Sequence, residues 1–129
     1  MRQVKHLALT EVEKGITITC DDRDNEKGGN MSHRYTLSYK NDIPSSGVVE
    51  ALDQRLKFQQ GPVAEHGING ITNEALLAIV IDRLEGAQEG PYKSRYNALA
   101  INKIEEAVLW LSRRTLDRQA RGVEGTSGV

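Results

Sequence analysis

Thr72-Asn73-Glu74-Ala75-Leu76-Leu77-Ala78-Ile79-Val80-Ile81-Asp82-Arg83-Leu84-Glu85-Gly86 is where the chain changes period. Thr72 is a good N-cap, because its hydroxyl can accept from an unpaired backbone N–H of the first turn, and Glu74 places a carboxylate where the helix dipole favours it. The spacing predicts a helix from Thr72 to about Glu85, stopped at Gly86. Projected at 100° per residue, Leu76, Leu77, Ile79, Val80, Ile81 and Leu84 cover an arc of roughly 200°, about twice what one buried face needs. That width predicts two packing partners: a second helix of the same chain, and a second subunit.

The second helix follows a connection over 87–93 that contains Gly90-Pro91. Ser94 caps it, and Leu99, Ala100, Ile104, Ala107, Val108 and Leu111 recur at spacings of three and four, predicting a helix to about Arg118. Lys103, Glu105 and Glu106 fall on its exposed side. After Arg121 the run Gly122-Val123-Glu124-Gly125-Thr126-Ser127-Gly128-Val129 reads as a flexible tail.

Upstream the period is two. Val4 to Leu9, Ile16 to Cys20 and Arg34 to Tyr39 are rich in β-branched and aromatic residues, and Ile16-Thr17-Ile18-Thr19 and Tyr35-Thr36-Leu37-Ser38-Tyr39 alternate cleanly. Half-buried antiparallel strands are expected there. Between them, Asp21 to Asn30 has no apolar member and reads as a solvated loop; the spacing and closing Glu of a calcium-binding EF-hand are missing. Asn41 to Ser46 marks a turn. Val48 to Leu56 fits either a short helix or a connecting segment, and Leu56 to Gln59 looks like a last strand before Gly61-Pro62. The fold class expected is therefore α+β: an N-terminal antiparallel β-sheet over residues 1–60, then an antiparallel two-helix hairpin over 61–121, then the tail 122–129, oligomeric as a whole.

Composition narrows the function. With 129 residues the chain fits one compact domain, and 17 Lys plus Arg against 18 Asp plus Glu leave a net charge of −1. Proteins that track a nucleic-acid backbone usually carry a basic excess, so a polymer partner is not expected. Only 38% of the residues are hydrophobic, which suits a modest core supplemented by self-association. No apolar run follows Met1 and none approaches the ~18–20 residues that cross a bilayer, so neither a secretory leader nor a membrane span is expected, and the location expected is cytoplasmic.

Catalysis finds little support. His6, His33 and His66 lie in different segments without metal-ligand spacing, and the single cysteine, Cys20, cannot build a multi-thiolate site. Neighbouring Asp21 and Asp22 would raise the Cys20 thiol pKa, which suits a small core residue better than a nucleophile. No nucleophile elbow, Walker lysine or dinucleotide glycine fingerprint is present. No catalytic residues, metal or cofactor are expected. A degrading enzyme would have to draw its general base from Glu65 or His66.

Two features suit an anionic ligand. Phe58 to Glu74 joins a strand to a capped helix through Gly61, Gly67 and Gly70, with Asn69 and Asn73 among them. Glycine allows close backbone approach, a helix N-terminus favours phosphate, and Phe58 offers a face for a base. The same pattern also serves as a plain connection with Phe58 in the core. The second feature is arginine placement: Arg95 opposes the dipole of its own helix, while Arg113, Arg114, Arg118 and Arg121 crowd the other end. They make either a solvated face or, if two hairpins pack antiparallel, guanidinium forks brought together from two chains to hold phosphates.

The motif Phe58-Gln59-x-Gly61-Pro62-x-x-Glu65-x-Gly67-x-Asn69-Gly70, followed by Asn73-Glu74-x-Leu76-Leu77-Ala78-Ile79-x-Ile81-Asp82-Arg83-Leu84, resembles a family of phage-encoded proteins that share a helical hairpin domain. So does Arg95-x-Asn97-Ala98-x-Ala100-Ile101-x-Lys103-x-Glu105-Glu106-Ala107-x-x-Trp110-Leu111, with Arg114-Thr115-x-x-Arg118-x-x-Arg121 behind it. Members act as sponges against bacterial immune signalling. One branch sequesters a cyclic ADP-ribose isomer and blocks the Thoeris system; the other sequesters the cyclic di- and trinucleotides of CBASS.

The β-rich first 55 residues are similar to the Thoeris type, which carries such a part ahead of its hairpin. The resemblance implies a homohexamer in the cytoplasm of the infected host that binds a small cyclic nucleotide without cleaving it. By motif match it also implies nucleotide contact from Phe58, Asn69, Arg83 and Arg95, with Arg114 and Arg118 behind them. Tyr96, before Asn97, and Tyr92-Lys93 depart from the family pattern.

Overall fold

A computed structural model describes residues 2–22 and 31–126. The chain divides into two compact units, Met1–Gln59 and Gln60–Val129.

The first unit is a four-stranded antiparallel sheet in the order β1-β2-β3-β4, formed by β1 (Arg2–Val4), β2 (Thr17–Cys20), β3 (Arg34–Ile43) and β4 (Val48–Lys57). Two strand expectations need correcting. The first strand ends at Val4 rather than Leu9, and the chain then forms the short helix α1 (Glu11–Lys14). A reciprocal cap explains the switch: the Thr10 hydroxyl accepts from Glu13 N–H, and the Glu13 carboxylate reaches back to accept from Leu9 N–H at 3.2 Å.

The second correction concerns β3 and β4, which are ten residues each and pair over their whole length from Arg34↔Lys57 to Ile43↔Val48. Residues 41–43, expected in a turn, belong to β3, and residues 48–56 are strand rather than helix or connection. Leu52 and Leu56 have a spacing that does not by itself distinguish a helix from a strand. A spacing of four puts two residues on one face of a helix and equally on one face of a strand, and here these two are the half-buried members of β4. Pairing with β3 decides between the two readings. The connecting turn closes at Gly47, whose φ of 69° suits glycine and whose N–H donates to Ile43 C=O at 3.0 Å.

The innermost residues of the sheet unit are Cys20 and His33. Asp22 organises them. Its carboxylate accepts from the backbone N–H groups of His33 and Arg34, each at 2.9 Å, and lies 3.7 Å from His33 Nδ1. The Cys20 thiol donates to Asp22 C=O at 3.1 Å, so the buried sulfur is satisfied as a core group. Burial works to raise the Asp22 carboxyl pKa, but the Arg34 and His33 N–H groups and the His33 imidazole together hold it below its ordinary value. Of the acidic loop 21–30, only Asp21 and Asp22 lie among the described residues.

The second unit is the hairpin of α3 (Asn73–Gln88) and α4 (Arg95–Ala120), preceded by the one-turn α2 (Val63–His66). Thr72 caps α3 by accepting from Ala75 N–H, and Ser94 caps α4 by accepting from Asn97 N–H, both at 3.1 Å. α3 does not stop at Gly86. It runs on to Gln88, because the Gln88 side chain bridges both backbone groups of Ser94, at 2.9 and 3.0 Å, and ties the helix end to the start of α4. Leu76, Leu77, Ile81 and Leu84 of α3 and Ile101, Ile104, Val108 and Leu111 of α4 are half-buried, and neither helix has a fully buried residue. Ile79 remains 59% exposed, on the part of the wide apolar arc that α4 does not cover.

The stretch read as a flexible tail begins with structure. Residues 122–126 form turns with left-handed glycines at 122 and 125, and Arg118 holds them: Nε pairs with Glu124 at 3.0 Å and a terminal nitrogen donates to Val123 C=O at 3.0 Å. Residues 127–129 lie outside the described residues.

Candidate functional site

The loop from Gly61 to Thr72 is held by its own polar groups. Asn69 clamps it: Oδ1 accepts from Gln60 N–H and Nδ2 donates to Gln60 C=O, both at 2.8 Å. This is the pairing a strand neighbour would make, supplied by a side chain. Gly61 has φ +80°, and a Cβ there would sit 2.4 Å from His66 Cδ2. The dihedral calls for glycine, and a Cβ would in addition displace the imidazole that lies against it. His66 Nε2 is 3.8 Å from Glu65, and both side chains are more than half exposed.

The six expected contact residues divide sharply. Phe58 belongs to the sheet unit, where its N–H donates to His33 C=O at 2.7 Å and its ring meets Tyr35 edge-on, centroids 5.8 Å apart at 89°. It is half-buried, so part of the ring is already used in packing. The other five lie in the hairpin unit. Asn69 has its amide in the loop clamp and Arg118 its guanidinium in the tail, so both already act as structural members. Arg83, Arg95 and Arg114 are exposed and make no hydrogen bond or ion pair among the described residues.

Distance separates the arginines further. Arg83 lies five residues before the end of α3 and Arg95 opens α4, so both belong to the turn end of the hairpin. At 1.5 Å per residue, Arg114 stands about 28 Å down α4 from Arg95, and Arg118 about 35 Å. One chain therefore brings Arg83 and Arg95 to one end and leaves Arg114 and Arg118 at the other.

Gln88 and Asn97 fix the turn from which Arg95 starts α4, a role that neither shows in the sequence. Asn97 Nδ2 donates to Gln88 Oε1 at 3.2 Å and to Tyr92 C=O at 3.0 Å. With the Gln88 to Ser94 bridge, these bonds fix the first turn of α4. The capping pattern of Ser94 was the available signal; the six-residue reach back to Gln88 left none. Tyr92 and Tyr96 are 80% and 82% exposed at this end.

A shallow depression in the sheet unit, lined by His6, Glu13, Ile16 and Thr17 among others, contains none of the expected contact residues. Among the described residues, no three His, Cys, Asp or Glu side chains gather as a metal site would require, and no helix is long and apolar enough to cross a membrane.

Comparison with known proteins agrees with the hairpin geometry. The chain is similar to a protein of Bacillus phage SBSphiJ7 named "Thoeris anti-defense 1", 55% identical over 71 residues that make up 55% of this chain and 50% of that protein. It thus spans about half the length of the curated relative it matches. The family described as "Acb2/Tad1, hairpin domain" matches residues 51–116, just over half of the chain, from within β4 through most of α4. With its capped, locked two-helix hairpin, the chain belongs to the Acb2/Tad1 hairpin-domain family.

Proposed function

We propose that this protein is a phage anti-defence sponge: it binds a cyclic ADP-ribose-type immune signal, 1''-3' or 1''-2' glycocyclic ADP-ribose, and withholds it from the Thoeris system without cleaving it. The observation that carries this reading is that Arg83, Arg95 and Arg114, on a hairpin of this family, are exposed and have no hydrogen-bond or ion-pair partner among the described residues. Unpaired guanidinium groups on a locked scaffold suit the diphosphate of such a messenger, since bidentate charge-assisted hydrogen bonds need both charge and fixed geometry. The name of the Bacillus phage relative supports Thoeris as the system countered.

In this reading Phe58 stacks on the base and Asn69 contacts the ligand from the loop it clamps. Arg83 and Arg95 hold phosphate, with Arg114 and Arg118 behind them. The protein acts as a homo-oligomer, a hexamer by family resemblance, in the cytoplasm of the infected bacterium. CBASS cyclic di- and trinucleotides are further ligands of the same assembly. Chemistry is not required of the residues: a sponge works by mass action, lowering free ligand in proportion to its own concentration and affinity.

The test is recovery. The protein is incubated with each glycocyclic ADP-ribose isomer, separated from free ligand and heated to denature it, and the released small molecules are resolved by chromatography. Unchanged ligand, released in proportion to protein, is the expected result. A cleaved product would replace the sponge by an enzyme; no retention of either isomer, with retention of cyclic oligonucleotides, would move the protein to the CBASS branch.

A further inference from the structure

Of the seven asparagines in the chain, Asn69 alone is followed by glycine; the others precede Glu, Met, Asp, Ala or Lys. The difference is chemical. A side-chain amide is open to attack by the next peptide nitrogen of its own backbone, and a glycine there has no Cβ to hold that nitrogen away from the amide carbon. The reaction is a ring closure. The Gly70 nitrogen bonds to Asn69 Cγ, its proton passes to Nδ2, the Cγ–Nδ2 bond breaks and ammonia leaves, so that a cyclic succinimide remains. Water then cleaves one of the two ring C–N bonds, giving aspartate at 69 when the side-chain bond opens, or isoaspartate, with an extra main-chain carbon, when the backbone bond opens.

In the folded chain that amide is occupied. Oδ1 accepts from Gln60 N–H and Nδ2 donates to Gln60 C=O, both at 2.8 Å, and the residue is half-buried. Ring closure turns Nδ2 from a planar donor into a pyramidal leaving group and swings Cγ toward the following peptide, so the paired geometry does not survive it. The bonds that shape the loop have to open before the amide can react.

We propose that Asn69-Gly70 is a self-modification site gated by the clamp: the amide is kept while Asn69 is bonded to Gln60, and each opening of the loop exposes it to succinimide formation and conversion to aspartate or isoaspartate. The change runs one way. Aspartate at 69 retains an acceptor for Gln60 N–H but has no donor for Gln60 C=O, and isoaspartate lengthens the main chain inside the loop, so neither product rebuilds the clamp. How fast the protein ages at this position is then set by how often the loop opens. Where Asn69 contacts a phosphate-bearing messenger, the new carboxylate repels it. That consequence rests on the sponge reading; the modification does not.

The test follows the protein as it ages. The whole chain is held at mildly alkaline pH, folded in buffer and unfolded in urea, and then digested. Mass spectrometry reads the amide-to-acid mass gain at Asn69, and an isoaspartate-specific methyltransferase measures the isoaspartate form. Conversion in urea should run at least ~tenfold faster than in the folded chain, the factor that two net hydrogen bonds supply. Gln60→Pro removes the N–H that Oδ1 accepts, so it should speed conversion several-fold in buffer and leave the urea rate near that of the wild type. Gly70→Ala should slow conversion in both conditions; the left-handed glycines of this loop are Gly61 and Gly67, so the alanine brings no left-handed strain. Circular dichroism checks that each variant keeps its helices. Equal rates in buffer and urea, or an unchanged folded rate in a folded Gln60→Pro variant, would overturn the gating, and no conversion in urea would remove the site. A folded rate above the urea rate would also overturn it, and would mean that Gln60 N–H polarises the amide carbonyl for attack. Retention of glycocyclic ADP-ribose by fresh and aged protein is read in a separate assay, so a failed sponge and a failed modification site are told apart.

Discussion

Asn69 pairs both ends of its amide with the backbone of Gln60, accepting from the N–H and donating to the C=O, each at 2.8 Å. One side chain thereby closes the loop that leads into α3. Asn69→Ala removes both bonds and should lower stability by about 1–3 kcal/mol, while Asn69→Asp keeps the acceptor, loses the donor and faces Gln60 C=O with a charge. Urea denaturation of the three proteins should rank the wild type first. Equal midpoints would mean that the clamp does not hold the loop, and that the polar contacts of Asn69 belong to the ligand alone.

The arginines should separate into two groups by assay. Arg83→Ala, Arg95→Ala and Arg114→Ala remove charges that have no partner among the described residues, so thermal stability should change little. Each should weaken binding of glycocyclic ADP-ribose, by tenfold or more where the phosphate contact is direct. Arg118→Ala frees the turns at 122–126 and should lower the melting temperature as well. Titration calorimetry beside thermal melts makes the distinction; a large stability loss in Arg83→Ala or Arg95→Ala would contradict it.

Gly61 supports a double-mutant test. Gly61→Ala forces a Cβ against the His66 ring at a left-handed φ of 80° and should cost at least ~1–2 kcal/mol. In Gly61→Ala with His66→Ala the clash goes and the dihedral strain stays, so about half the loss should return. Full recovery would mean that the backbone at 61 relaxes, and no recovery that the dihedral alone matters.

Asp22 predicts a pH dependence. Its folded-state pKa is depressed, so the folded state gives up the proton more readily than the unfolded state does, and the contribution is present in full above the unfolded carboxyl value of about 3.9. As pH falls below that value, toward the lowered folded pKa, the contribution is lost. Asp22→Ala should cost roughly 2–3 kcal/mol at neutral pH by orphaning the His33 and Arg34 N–H groups, and the gap to wild type should narrow below about pH 4. Chemical denaturation at pH 7 and pH 3 reads this directly; a gap independent of pH would remove the charge from the explanation.

Local chemistry carried much of this architecture in plain view. The caps Thr72 and Ser94, the helical period after 72 and the alternation at 16–19 and 35–39 each report a preference that a few neighbouring residues decide, and the structure has helices and strands there. The over-wide arc of α3 was legible for the same reason, since angle along a helix follows from residue number alone. Family resemblance then reached the hairpin through its motifs.

What the sequence could not determine were the outcomes settled between distant segments. Leu52 and Leu56 satisfy helix and strand equally, and only a ten-residue partner in β3 made 48–57 a strand. Gly86 reads as a stop, yet the Gln88 bridge to Ser94 carries the helix past it. Arg118 and Asn69 have the same chemistry as Arg95 and Asn73, and only the folded chain shows that the first two already serve Val123, Glu124 and Gln60. Local preferences are worth tenths to about one kcal/mol and can be read in order along a chain. Pairing, bridging and clamping draw on partners five to ten or more positions away, so their result exists only once the backbone has brought those partners within hydrogen-bond reach.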